Sequence, residues 1–124
     1  MTWEYGGTLS WLEVTLTPVG DHTVLELAHE AHLDPGMWGQ FGPGATGVGW
    51  DLALAVGLSR YIDTGEPADK NQAVIFPASP EGAEFIRAAA AGWADAAMAD
   101  GDEPGAAHEA AARTAAFYIP PPGS

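Results

Sequence analysis

The chain has 124 residues, 47% of them hydrophobic, with five Trp, no Cys, and 4 Lys plus Arg against 17 Asp plus Glu for a formal net charge of −13. This length is one domain's worth and enough to bury a core, and the apolar fraction excludes a disordered chain. The acidic balance excludes a footprint for nucleic acid or anionic membrane surfaces, the lack of Cys excludes disulfides and thiol chemistry, and no apolar run reaches the roughly 18 residues of a membrane span.

Thr2 to Tyr5, followed by Gly6-Gly7, reads as a strand and its turn. From Thr8 to Thr17, Leu12, Val14 and Leu16 alternate with Glu13, Thr15 and Thr17, and Leu9 and Trp11 share the Glu13 face. A period of two is the mark of a strand with one buried side. After the turn-like Pro18-Val19-Gly20-Asp21-His22, the run Thr23 to His32 alternates again, with Leu25, Leu27, His29 and Ala31 on one face. These runs predict an antiparallel meander of about three strands.

The chain then turns helical. Asp34-Pro35 suits a short helical turn with Asp as cap and Pro in the first position. A Gly-rich stretch leads into a helix over about Thr46 to Ile62, closed by Gly65 and Pro67. Its body is apolar nearly all round, with Trp50, Leu52, Leu54, Val56 and Leu58, so it needs cover on more than one side. A further helix starts at Ser79 with Pro80 and Glu81 in its first turn and runs to about Asp100, with Ile86, Ala89 and Trp93 as its apolar stripe. The last helix, near Pro104 to Tyr118, ends before Pro120-Pro121-Pro122 and forms a helical hairpin with its predecessor.

Gly42-Pro43-Gly44-Ala45-Thr46-Gly47 matches G-x-G-x-x-G, but a dinucleotide site needs a parallel strand directly before it and an acid about twenty residues on. Neither is present, which leaves a flexible or tightly packed loop. His29-Glu30-Ala31-His32 places its two His three apart on a strand, facing opposite ways, so no shared metal is expected. His29 shares the face of Leu25 and Leu27, where an imidazole is either hydrogen-bonded within the core or meets a ligand. Glu13 beside Trp11 is either a solvated carboxylate or a pocket acid, and Asp51 complements a helix dipole. Trp3, Tyr5, Trp11, Trp38, Phe41 and Trp50 either line an apolar ligand pocket between sheet and helix or simply pack.

The stretches "TWEYGGTLSWLEVTLTP", "ELAHEAH", "FGPGATGVGWDLAL" and "AARTAAFY" resemble the later strands, last helix and tail of SRPBCC (START/Bet v 1-like) domains, in the subgroup similar to activators of the Hsp90 ATPase. The resemblance implies a helix-grip α+β fold, in which a curved antiparallel sheet packs on a long apolar helix with a cavity between them. It also implies that the family's N-terminal strand, two short helices and further strands lie outside these residues, with Met1 near the middle of a single truncated domain. Carried over by position, the cavity-lining candidates are Trp11, Leu25, Leu27, His29, Trp50, Leu54 and Leu58. The family has no universal catalytic residue, so none is assigned, and no cofactor or metal is implied.

The expected function is therefore binding of a small hydrophobic molecule. The alternatives are an enzyme of the polyketide cyclase or hydrolase type using His29 or Glu13, and an Hsp90-associated or other interaction module. The open edge at Thr2 to Tyr5 also predicts dimerisation, swapping or aggregation unless a second copy or a completing N-terminal segment occupies it. With no basic-then-apolar leader in view, a cytoplasmic location is expected.

Overall fold

The computed structural model describes residues 1–5, 8–67 and 69–121, with Tyr5 described through its backbone only; the Gly6-Gly7 turn and Pro122 lie outside the described residues. The architecture is α+β, and the chain divides into two compact units, Met1–Asp34 and Pro35–Ser124.

The first unit is a sheet in the order β1 (Thr2–Tyr5), β2 (Thr8–Val19), β3 (His22–Glu30), antiparallel throughout. The β2–β3 hairpin is tighter than the sequence pattern predicts. Val19 pairs with His22, so the turn is Gly20-Asp21 alone, and Gly20 supplies the positive φ of 61° that a two-residue hairpin needs. Pro18 is accommodated inside the strand. In a two-residue hairpin the closing pair Val19–His22 exchanges the hydrogen bonds, so at the next pair, Pro18–Thr23, the strand nitrogens point away from each other. Pro18 then faces a side of β2 that β1 does not reach, because β1 pairs only with Thr8 to Trp11. β3 ends at Glu30, two residues short of the alternating run.

The second unit is helical. α1 (Pro35–Phe41) ends at Gly42, whose φ of 61° lets its N–H close on the Trp38 carbonyl at 2.8 Å. α2 (Gly44–Asp51), a π-helical stretch (Leu52–Leu58) and α3 (Ser59–Thr64) follow one another without a break, and the rod of residues 44–64 stops at Gly65, φ 74°. This is the expected long helix, extended by two residues at each end. It is less covered than its composition demands: Gly44, Gly47 and Val48 are buried, but nothing from Leu52 to Thr64 is. The Leu-Ala-Leu-Ala-Val-Gly-Leu run alternates large and small residues, which on a helix throws the large ones onto two opposite stripes, each half-buried.

α4 (Lys70–Ala78) is a helix that no periodicity in the sequence announces. Asp69 caps it, accepting from the Asn71 N–H at 2.9 Å, and Pro77 sits inside its last turn. α5 (Pro80–Ala99) starts as expected, with Pro80 in the first turn and the Ser79 hydroxyl accepting from the Gly82 N–H at 3.0 Å. α6 (Pro104–Tyr118) keeps its predicted bounds and is capped by Glu103. The buried seam of α5 differs from the expected stripe. It runs through Gly82, Ile86, Ala90, Ala94 and Ala97, while Ala89 and Trp93 are only partly covered. Ala94 and Ala97 of this seam pack with Ala107 and Ala111 of α6, while Ala110 and Thr114 face Gly42 and Gly44 at the α1–α2 corner.

Candidate functional site

The sheet register decides which of the expected site residues meet. Leu12, Val14 and Leu16 of β2 pair with His29, Leu27 and Leu25 of β3, and Ser10, on the same face of β2, pairs with Trp3 of β1. Directly paired residues share a face, so Leu25, Leu27 and His29 lie together on an apolar side. Trp11 pairs with Glu30 and belongs to the other side, with Glu13, Glu26 and Ala28. Strand parity thus separates Trp11 from Leu25, Leu27 and His29, the three candidates on β3, and its ring meets His32 edge-on at 6.1 Å instead. Glu13 is exposed there.

His29 has a partner that the sequence reading passed over. Its Nε2 lies 2.8 Å from Oγ of Ser10, a residue 5% exposed. Ser10 donates its single proton to the Trp3 carbonyl at 3.1 Å, so the proton in the His29–Ser10 contact comes from Nε2 of the imidazole. A ring nitrogen that donates to a hydroxyl cannot take that hydroxyl's proton, so in this arrangement Ser10 is held rather than activated. The parity of Ser10 with Leu12, Val14 and Leu16 was the available signal: it is the polar position on an apolar face.

In the helical unit, Trp50 stands in α2 and Leu54 and Leu58 in the π-helical stretch, on one half-buried stripe. Asp51 accepts from Trp93 Nε1–H at 2.8 Å and ties α2 to α5, a structural role in place of a dipole or acid–base one. The G-x-G-x-x-G match is the α1–α2 corner and the first turn of α2, and its glycines serve packing. A Cβ on Gly47 would overlap the Trp93 indole, and one on Gly44 would press on the Thr114 side chain at 3.1 Å.

That corner builds a cavity. Three side chains of α6 hold its backbone: Arg113 Nε donates to the Gln40 carbonyl at 2.6 Å, Thr114 Oγ1 to Phe41 at 3.1 Å, and Tyr118 to Ala45 at 2.5 Å. The first two bonds satisfy carbonyls at the end of α1 that have no partner along their own helix, and the third grips the first turn of α2. With α1 fixed across the α5–α6 seam, a cavity of about 290 Å³ remains, walled by Trp38, Phe41, Trp93 and seam alanines, with Asp102 and Glu103 where α5 turns into α6. Trp93 is immobilised on one side by Gly47 and at its nitrogen by Asp51. Glu103 accepts from the N–H groups of Gly105 and Ala106 at 3.0 and 2.8 Å. Those two bonds, with a smaller pull from His108, hold its carboxyl below the usual carboxylate range.

Trp38 and Phe41 were visible as pocket candidates and Trp93 as a stripe residue, but the acidic pair at the α5–α6 turn was not singled out. Among the described residues, no three His, Asp or Glu side chains gather as metal ligands, and no helix is long and apolar enough to cross a membrane. No family model, no curated protein and no solved structure matches this chain.

Proposed function

We propose that the protein binds a small hydrophobic molecule, and that the ligand sits in the cavity between α1, α5 and α6. The observation that carries this reading is the cavity itself: about 290 Å³, with three aromatic walls and an alanine floor. This is near the lower limit of small-ligand sites, which combine apolar walls with a few polar groups. Kinship to SRPBCC domains, with the helix-grip arrangement, is part of the same proposal and is supported by the sequence motifs alone.

Ligand-observed NMR on the full chain tests the site with neopentylbenzene as an apolar probe. Ala106 lines the cavity from an exposed position, so Ala106→Phe fills it without burdening the core. The expected result is saturation transfer to the probe that Ala106→Phe abolishes and Leu27→Asp leaves intact. Loss in Leu27→Asp alone would move the site to the apolar sheet face, and no transfer at all would overturn the reading.

A second reading, an interaction module that joins a second copy of the chain, is favoured by the sheet. Its apolar face leaves Val14 43% and Leu16 63% exposed, and β3 pairs with β2 alone along nine residues that contain neither Pro nor Lys to block further pairing. Analytical ultracentrifugation decides it. A dimer that Leu25→Pro in β3 dissociates supports the reading, and a monomer at all concentrations removes it.

A further inference from the structure

We infer that the α1–α5–α6 cavity is selective for a small organic cation, an amine or quaternary ammonium group carried on an apolar body. This rests on the proposal that the cavity binds a ligand. Its walls offer two indoles and a phenyl ring, and tryptophan is the side chain that best attracts a cation to its face. The charged side chains lining it are Asp102 and Glu103, both acidic, and no Lys, Arg or His is among the lining residues. Arg113, the one Arg or Lys of α6, is directed to the Gln40 carbonyl by its 2.6 Å bond.

The two carboxylates differ in what they do. Glu103 is committed to the first N–H groups of α6 and offsets the positive end of that helix, which would otherwise repel a cation. Among the described residues the Asp102 carboxylate has no hydrogen-bond partner, and it supplies the surplus negative charge at the cavity; its backbone N–H closes on the Ala97 carbonyl at 3.0 Å, which fixes its position. The net charge of −13 adds a long-range field of the same sign. A neutral ligand gains only the apolar walls. An anion meets repulsion from both carboxylates that line the cavity.

Three probes of one shape and different charge test this: benzyltrimethylammonium, its neutral isostere neopentylbenzene, and phenylmethanesulfonate, compared by ligand-observed NMR at low ionic strength. The expected result is that the cation binds about tenfold more tightly than the neutral probe and the anion not measurably. Asp102→Asn should erase most of that preference while leaving the neutral probe's affinity unchanged, and added salt should narrow it. Equal affinity for cation and neutral probe, both blocked by Ala106→Phe, would overturn the selectivity and leave the apolar site standing. Failure of all three probes to bind would overturn both.

Discussion

In the sheet unit, Leu12 is the only apolar side chain among the described residues that is fully covered, whereas the helical unit buries Val48, Ile86 and five alanines. The alternation along β2 and β3 assigns side chains to a face, but a neighbouring strand covers only the flanks of a side chain standing off the sheet. Leu16 and Val14 are therefore on the right face and still exposed. On α5 and α6 the seam is nearly all alanine, so helix covers helix directly and modest side chains are enclosed by backbone. Small residues at the right spacing enclose; large residues at the right parity only point.

This comparison is most sharply tested at Gly82, where a Cβ would overlap the Phe76 carbonyl oxygen, which belongs to the backbone and cannot rotate away. Gly82→Ala should destabilise the helical unit by about 3 kcal/mol and lower its melting temperature by about 12 °C or more. A change of a degree or two would show that close approach is not what holds α4 on α5. Leu12→Ala should cost about 2 kcal/mol, near the lower limit for a buried leucine because the open face relaxes, and should speed hydrogen exchange of the β2 and β3 amides. Unchanged exchange would mean that the backbone ladder alone sustains the sheet.

Thr114 is fully buried and donates to the Phe41 carbonyl. Thr114→Val keeps the shape but orphans that carbonyl, so about 1 kcal/mol should be lost in denaturant unfolding, with weaker probe binding as the α1 wall loosens. The smallest effect is expected at Glu103, which is fully exposed. Its carboxyl is lowered on folding, so the stabilisation is present above the unfolded value and fades as pH falls through the lowered one. Glu103→Gln should remove that acid-side slope from the thermal midpoint of α6, and a slope that persists in the variant would assign it to another carboxyl group.

Much of the local structure was legible because it depends on neighbours in sequence. Ser79-Pro80 announces α5, Pro104 and Tyr118 bound α6, and Gly65 ends the 44–64 rod, each through capping or a backbone conformation that the residue itself sets. α4 carries a helix breaker, Pro77, which removes the bond its nitrogen would make to the Ala73 carbonyl, but the loss falls in the last turn and leaves the body of the helix intact. The candidate site was half legible. Aromatic residues are prominent, but the family resemblance, carried over by position, groups Trp11 with Leu25, Leu27 and His29, which the strand register puts on the opposite face.

By itself the sequence determined the sheet parity, most helix ends, the acidic field and the absence of thiol chemistry, since each follows from residue type or from spacing within one element. Only the tertiary structure decided that Ser10 is hydrogen-bonded to His29, that Asp51 holds Trp93, and that Asp102 and Glu103 line one cavity with Trp38 and Trp93. Each pair is brought together from chain segments many residues apart, and in the helical unit the approach of Trp93 to α2 depends on the room that Gly47 leaves. No local pattern encodes that distance, because it is set by how small the facing side chains of two helices are together.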